Sequence, residues 1–466
     1  MREYLCIFAA KLENFHIQEL HALCAMHGEP FDADTEGYDG FDSPYLVARF
    51  ASDEAAQRVA RQSVLLRGVF DVWGSGKTYE EVAEAIRAMP AGRMEEFMVG
   101  DYGFKFVVDA FGKKIPFAKQ VERMNYFSFM DILQKGRVDL KNPTHIFWIL
   151  EELGRSLDPD TPPRRILFAR QVATGSRHLV DKFAVKKRPY MGTTSMEATL
   201  ALLVATMVHA RPHTLVLDPF VGTGSLAITC AHFGSHVLGA DLDARVIKGN
   251  KKPGVNIMSN FKKYGLEDKC LGFVVNDQSK TQVWARGCVL DAVVADPPYG
   301  VREGARKIGM KARQKQRNHR VAEHHKADHV PQCVPYAVEE VLYDLLAFAA
   351  KMLVLGGRMA YWLPTTVDYQ ECDVPQHPCL ELFGNSEQVM AGRMRRRLIT
   401  MVKTVEYDAA VHEGIDLDEY NREFYGVDEL PEKGHTNFAS KVFLDDTRLD
   451  DREKKKCIEL GVSPNT

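Results

Sequence analysis

The sequence predicts an α/β protein: two α+β segments followed by a larger domain on a parallel sheet. Three observations predict it. The apolar run 213–218 ends in Asp218 and enters the glycine-bearing loop Pro219-Phe220-Val221-Gly222-Thr223-Gly224-Ser225 before a helical stretch. Further strand-like runs at 236–241, 272–275 and 291–294 each lead to an acid. Residues 1–95 read as β-α-β-β-α-β, with the second strand weakest. Strands alternating with helices imply a layered α/β domain, and the opening pattern is ferredoxin-like, which by itself says nothing about activity.

In the first segment, Tyr4–Ala9 is an apolar strand. Ile17, Leu20 and Cys24 mark a helical face stopped near Gly28 and Pro30. Tyr45–Phe50 is a strand, Asp53–Arg61 a helix capped by Ser52, and Leu65–Trp73 the last strand. A second mixed segment spans 96–188. It has a strand at Phe104–Asp109, an aromatic-rich helix at Met124–Leu133, an apolar run at Ile146–Leu150 and a Pro-containing turn at 159–163. Solvated faces account for most of its charges, and Arg170, Arg177 and Lys187 are its candidate RNA contacts.

The third domain spans 189–407. Thr194 and Glu197 form a T-x-x-E pattern, read either as a capping box or, with Ser195, as a loop whose hydroxyls meet the carboxylate of a cofactor. After the first strand, Leu226, Cys230 and Phe233 line one helical face that Gly234 ends. Two glycines between strand and helix let a ligand approach the backbone at a helix N-terminus. Asp218, Pro219, Phe220, Gly222 and Gly224 are therefore candidate cofactor contacts. With Ala227 in the third small position, the glycines alone do not exclude a dinucleotide. Asp241 lies 19 residues after Gly222, the place for an acid that holds ribose hydroxyls, whereas Asp243 reads as a helix cap. Asp277, after 272–275, is a candidate for the adenine edge.

The fourth strand runs into Asp296-Pro297-Pro298-Tyr299. An amine conjugated to an aromatic ring is a poor nucleophile. A carboxylate at Asp296 and the carbonyl of Pro297 can accept its two N–H groups and favour a pyramidal, charge-bearing nitrogen, stabilising the transition state over the ground state. Pro297 and Pro298 hold the backbone rigid, and Tyr299 offers a ring on which a base can stack. Alone, the run is also a Pro-stiffened turn. The order strand–glycines–helix, strand–acid, strand–acid, strand–DPPY is that of a Rossmann-type class I methyltransferase using S-adenosylmethionine. A nicotinamide cofactor would leave DPPY unexplained.

Residues 301–330 hold nine Lys or Arg against three acids. Arg302, Arg306 and Lys307 open this tract, which reads as a phosphate-contacting segment or a solvated loop. Arg395 and Arg396 sit in a second basic cluster before a strand at 398–402, read equally as phosphate contacts or surface charge. From 408 the chain turns polar and acid-rich, a partly ordered tail. At 466 residues, with 45% hydrophobic and 26% charged residues and a net charge of −3, composition suits a soluble multidomain protein without global basicity. Nine scattered cysteines form no C-x-x-C pair, so neither a disulfide framework nor a zinc site is expected; a reducing, cytoplasmic compartment is. No signal peptide or membrane span is expected.

Taken together, Tyr190-Met191-Gly192-Thr193-Thr194-Ser195-Met196, the 218–224 loop, Gly239-Ala240-Asp241-Leu242-Asp243, Tyr264-Gly265-Leu266, Asp296-Pro297-Pro298-Tyr299-Gly300 and, upstream, Val138-Asp139-Leu140-Lys141-Asn142-Pro143 resemble one family. It is the catalytic subunit of eukaryotic tRNA guanine-N2 methyltransferases acting on the guanosine at position 10. The resemblance covers roughly residues 1–405. It implies ferredoxin-like (1–95), THUMP (96–188) and Rossmann methyltransferase (189–407) domains, then a tail (408–466). It also implies S-adenosylmethionine as cofactor, tRNA as substrate, and a heterodimer with a small zinc-binding activator subunit. The alternatives are an amine methyltransferase acting on adenine or protein glutamine, and a non-catalytic RNA-binding scaffold.

Overall fold

The computed structural model describes residues 1–90, 92–110, 114–153, 162–249, 254–280, 284, 287–300, 305–309, 333–430, 433, 435 and 438–443. The chain forms two compact units, 1–179 and 180–466. Among the described residues no helix is long and apolar enough to cross a membrane.

In the first unit the elements are β1 (Arg2–Phe8), α1 (His16–His27), β2 (Tyr45–Phe50), α2 (Asp53–Ala60), β3 (Leu66–Gly76), α3 (Tyr79–Arg87), β4 (Gly103–Asp109), α4 (Phe117–Asn125), α5 (Asp131–Lys135), β5 (Arg137–Val138), β6 (His145–Glu152), β7 (Arg165–Thr174) and α6 (His178–Lys182). Ser52 and Thr78 cap α2 and α3 by accepting the backbone N–H groups of Ala55 and Glu81. The weak second strand reduces to a single bridge, Ala33 to Ala48. The aromatic helix expected at 124–133 is two helices, α4 and α5, separated by a turn at 126–130.

The two N-terminal segments share one seven-stranded sheet, β2-β1-β3-β7-β6-β4-β5. It is joined by antiparallel pairing of β3 with β7, Val69 opposite Ala173 and Ser75 opposite Leu167. Trp73, Phe104, Phe127, Phe147 and Phe168 pack into a buried aromatic core on this sheet.

The second unit contains α7 (Ala198–Met207), β8 (Leu215–Asp218), α8 (Ser225–His232), β9 (His236–Asp241), α9 (Ala244–Lys248), α10 (Ile257–Tyr264), β10 (Cys270–Val275), β11 (Leu290–Ala295), β12 (Arg306–Ile308), β13 (Cys333–Pro335), α11 (Val338–Met352), β14 (Leu353–Thr366), β15 (Leu380–Val389), β16 (Met394–Lys403), α12 (Ala409–His412), α13 (Leu417–Tyr425) and α14 (Phe438–Phe443). Its main sheet has the order β10-β9-β8-β11-β14-β16-β15. β10 through β14 pair in parallel, and β16 pairs antiparallel with β14 and β15. From β8 the chain winds outward through β9 and β10, then returns to build β11 and β14 on the other side. A crevice is expected where that direction reverses, beyond the carboxyl ends of β8 and β11. Leu217, Val293, Ala295, Leu345, Phe348, Tyr361 and Ile399 form the core that fixes those strand ends.

One expectation is corrected here. The Thr194–Glu197 capping box does not form. Helix α7 starts at Ala198 with Glu197 as an N-cap that makes no side-chain cap bond. Instead Ser195 is engaged, with the Gly192 N–H donating to its Oγ at 2.9 Å. Part of the tail expected from 408 is ordered, as α12, α13 and α14, while 444–466 lies outside the described residues. Asn421 is 1% exposed. Its Oδ1 accepts the Gln376 N–H at 2.8 Å, and its Nδ2 donates to the Gln376 carbonyl at 3.1 Å. The Tyr425 hydroxyl donates to the Val374 carbonyl at 2.6 Å. Polar pairing by Asn421 and Tyr425 and burial of Leu417 and Phe438 hold this segment.

Candidate active site

The glycine loop leaves β8 in a conformation that explains its composition. Gly222 and Gly224 have φ of 50° and 83°, a region costly for residues carrying a Cβ. A Cβ on Gly224 would also press within 3.0 Å of Ile257. The Gly222 N–H donates to Asp241 Oδ2 at 3.0 Å and the Asp243 N–H donates to Asp241 Oδ1 at 2.9 Å. Two amides thus orient this carboxylate, and a carboxylate has about four lone-pair sites, so acceptor capacity for hydroxyls remains. Asp243 caps α9 as expected.

A second loop lies against the first. Ser195 Oγ and Thr223 Oγ1 are 2.8 Å apart. Asn260, fully buried on α10, donates from Nδ2 to the carbonyls of Tyr190 at 2.8 Å and Thr223 at 3.0 Å. It also accepts the Tyr190 N–H at 2.9 Å. Sequence reasoning missed this residue, although a lone Asn on the apolar face of 257–264 was a visible signal. Thr194 is exposed. Pro219 is buried, while Phe220 is partly buried against the core and against Ala305, Tyr336 and Val341.

Asp218 is 2% exposed. Burial pushes its carboxyl well above the usual carboxylate range; the Phe220 N–H bond opposes this, and the nearby charges of Asp241 and Asp296 add to it. Asn276, Asp277 and Gln278 follow β10 and are all buried. The Asp277 carboxylate is engaged internally. Oδ1 accepts the Ser279 N–H at 3.0 Å and hydroxyl at 2.8 Å, and Oδ2 accepts the Ile308 N–H of β12 at 2.6 Å. Both amide atoms of Gln278 are buried without a hydrogen-bond partner among the described residues. Such orphaned atoms are costly and mark a place where a polar ligand group would be favoured.

Asp296 follows β11, next to β8 in the sheet. The Tyr299 hydroxyl donates to Asp296 Oδ1 at 2.6 Å. Arg396 Nη1 donates to the Tyr299 oxygen at 3.1 Å and lies 4.0 Å from Asp296 Oδ1. Burial raises the Asp296 pKa, while Arg396 and the Tyr299 hydrogen bond lower it. Pro297 is buried and Pro298 partly so. The ring expected as a stacking platform is thus a phenol tethered to the carboxylate.

These residues suit a positively charged, ribose-bearing ligand. Asp218 at the end of β8 and Asp296 after β11 set two acids at neighbouring strand ends, where burial raises both; a cationic ligand would favour their ionised forms and a pyrophosphate would not. Asp241 presents an oriented carboxylate for hydroxyls, and the orphaned Gln278 amide matches a polar base edge.

The candidate RNA contacts divide. Arg170 is 7% exposed, pairs with Asp53 at 2.5 Å and Asp71 at 3.6 Å, and stacks on Phe97. This corrects the expectation of an RNA contact, because the guanidinium is enclosed and already neutralised. Arg177 and Arg306 are exposed, as is Lys187, whose Nζ pairs with Asp181 at 2.6 Å. Lys307 pairs with Glu340 at 2.5 Å. Arg395 donates to the carbonyls of Gly392 and Met394. Arg396 is drawn to Asp296 rather than turned to solvent, a second correction. Arg302 lies outside the described residues, as does 310–332, most of the basic tract.

Known proteins resemble this chain in both of its parts. Residues 2–177 match the family described as Tmrp11 THUMP N-terminal domain, and residues 186–314 match the RMKL-like methyltransferase domain. The chain is 34% identical to the tRNA (guanine(10)-N(2))-methyltransferase TRMT11 of Gallus gallus, over 98% of each chain. It is 35% identical to the human protein of that name over 98% of this chain and 99% of the relative. With the Dictyostelium discoideum protein it shares 32% over 98% and 92%.

Proposed function

The chain belongs to the tRNA (guanine(10)-N(2))-methyltransferase TRMT11 family, and from that membership we propose that it methylates the exocyclic N2 amine of the guanosine at tRNA position 10, with S-adenosylmethionine as cofactor. The observation that carries this reading is the placement of Asp296 at the end of β11, beside the glycine loop that ends β8.

Asp241 would hold the ribose hydroxyls, Gly222 and Gly224 would let the cofactor approach the backbone, and Asp218 would face its cationic end. Ser195 and Thr223 would close over the amino-acid portion. Asp277 and Gln278 would meet the adenine. The bound cofactor supplies an electrophilic methyl on a sulfonium centre. Asp296 and the Pro297 carbonyl accept the two N–H groups of the target amine and hold its lone pair toward that methyl. Both oxygens gain strength as positive charge develops on nitrogen. The rigid Pro-Pro backbone means that little reorganisation is needed. Positioning and electrostatics account for the acceleration, without a covalent enzyme intermediate.

The match of residues 2–177 to a THUMP-containing family supports tRNA capture by the first unit, where Arg177 is the remaining exposed candidate; Lys187 and, on β12, Arg306 are exposed candidates in the second unit. Partner binding fits β10. It is a sheet edge made of Cys-Leu-Gly-Phe-Val-Val, yet no residue in it is fully buried, and Leu271 and Val275 are 57% and 51% exposed. An apolar edge strand invites an added strand, and we assign it to the small zinc-binding activator subunit.

The test is mass spectrometry of nucleosides and of ribonuclease-derived oligonucleotides from tRNA treated with the chain, the activator and S-adenosylmethionine. N2-methylguanosine at position 10 is the expected product, and methyladenosine or unmodified tRNA would refute the reading. Asp296→Ala is expected to slow transfer about a hundredfold to a thousandfold while cofactor affinity stays within about threefold. Joint loss of binding and transfer would assign Asp296 a structural role instead.

A further inference from the structure

Four arginines crowd the start of β16, and three of them are engaged away from the DPPY turn. Arg393 pairs with Asp368. Arg395 donates to two carbonyls of its own turn. Arg397 stacks 3.8 Å from the Tyr369 ring centre and lies 3.9 Å from Glu387. Arg396 alternates with 395 and 397 along the strand and so lies on the opposite face of the sheet.

Arg396 has three anchors. Its Nε donates to Gln388 Oε1 on β15 at 2.7 Å, its guanidinium centre lies 4.3 Å from the Trp362 ring centre on β14, and its Nη1 donates to the Tyr299 hydroxyl oxygen at 3.1 Å. The side chain is 12% accessible. A guanidinium clamped by an amide, an indole and a phenol keeps one orientation, which a lysine could not reproduce. Arg396, the Tyr299 oxygen and Asp296 Oδ1 form one chain of hydrogen bonds, with donation running from arginine to phenol to carboxylate.

We propose that Arg396 is a positioning residue for methyl transfer: it locks the Tyr299 hydroxyl against Asp296 and so fixes that carboxylate where it can receive the N–H groups of the target amine. The inference rests on the functional reading above and deepens it. The charged or titratable groups facing Asp296 are Arg396 from β16, Tyr299 from the turn itself and Asp218 from the end of β8. Burial favours a protonated Asp296, and Arg396 is the cation that opposes it, with the Tyr299 hydrogen bond beside it. A phosphate contact, the expectation from sequence, would need this guanidinium free and at the surface.

The experiment measures kcat and KM for a tRNA transcript from about pH 5.5 to 9.5. It uses the full chain with the activator subunit and methyl-labelled S-adenosylmethionine, comparing wild type, Arg396→Met, Arg396→Lys and Tyr299→Phe. For Arg396→Met the acid limb of kcat is expected to move up by about one pH unit. Its kcat should fall about tenfold on the acid limb and recover toward the plateau at high pH, since one unit of pKa is a tenfold change in ionised fraction on that limb. KM for tRNA should stay within about threefold. Arg396→Lys should keep the wild-type limb at a reduced plateau. Tyr299→Phe should move the limb in the same direction by less, and it carries the test if Arg396→Met does not fold. A raised KM with a shallower salt dependence and an unmoved limb would overturn the inference in favour of phosphate binding. A uniform loss of kcat at every pH, with a lowered melting temperature, would overturn it in favour of a purely structural role. A wild type that leaves guanosine N2 unmethylated overturns the functional reading and this inference with it, whereas a methylating wild type whose variants keep its profile overturns this inference alone.

Discussion

The Gly222 N–H donates to Asp241 Oδ2 at 3.0 Å, which ties the glycine loop after β8 to the acid that ends β9. The loop and the acid therefore form one binding element, and Asp241 acts twice, as a candidate ribose ligand and as the anchor of the loop.

Asp241→Ala should for that reason weaken S-adenosylmethionine binding by about tenfold to a hundredfold, because it removes an acceptor and leaves two N–H groups unpaired. Titration calorimetry on the full chain reads this directly. An affinity unchanged from wild type would mean that the acid serves only the loop.

Asn260 joins the Tyr190 and Thr223 backbones from a fully buried position. Asn260→Leu is expected to cost about 2–4 kcal/mol, since it strands buried backbone groups. The melting temperature should fall by roughly 5–10 °C. Bound cofactor should recover part of the loss in a thermal melt.

Glu19 is fully buried on α1 and accepts bonds from the Ser63 hydroxyl at 2.5 Å and the Val64 N–H at 2.7 Å. Burial pushes its carboxyl up to about 7 from an ordinary 4.5, against the pull of those donors. Its folded pKa is raised, so the folded form holds the proton more tightly than the unfolded chain does. That contribution is complete below about pH 4.5 and is lost as pH rises through about 7. The first unit should lose on the order of 3 kcal/mol from this group across that window. Glu19→Gln should flatten the slope. Amide exchange in α1 at a series of pH values measures both chains, and parallel slopes would exclude the assignment.

The candidate site was legible where chemistry is written into adjacent residues. The glycine loop, Asp241 and the DPPY turn each sit at a strand end where local pattern and sheet topology agree. Arg396 was not legible. It is 100 positions from Asp296, and only the antiparallel placement of β16 between β14 and β15 brings its guanidinium to the turn. A run of arginines reads as surface charge when its partners are distant in sequence. Arg170 misled for the same reason, since its partners Asp53 and Asp71 lie in the first 95 residues. The union of the two N-terminal segments rests on β3–β7 pairing across about 100 residues, which periodicity cannot reveal. The T-x-x-E pattern at 194–197 is a local signal overridden by the Ser195 contacts with Gly192 and Thr223.

The insertion of β16 between two earlier strands has a consequence for synthesis. On a ribosome, Asp296 emerges long before Arg396, and β15 has no neighbour in the sheet until β16 arrives. The nascent domain thus carries an open strand edge on β14 until β16 is made. During that interval it is exposed to mispairing and to chaperone capture.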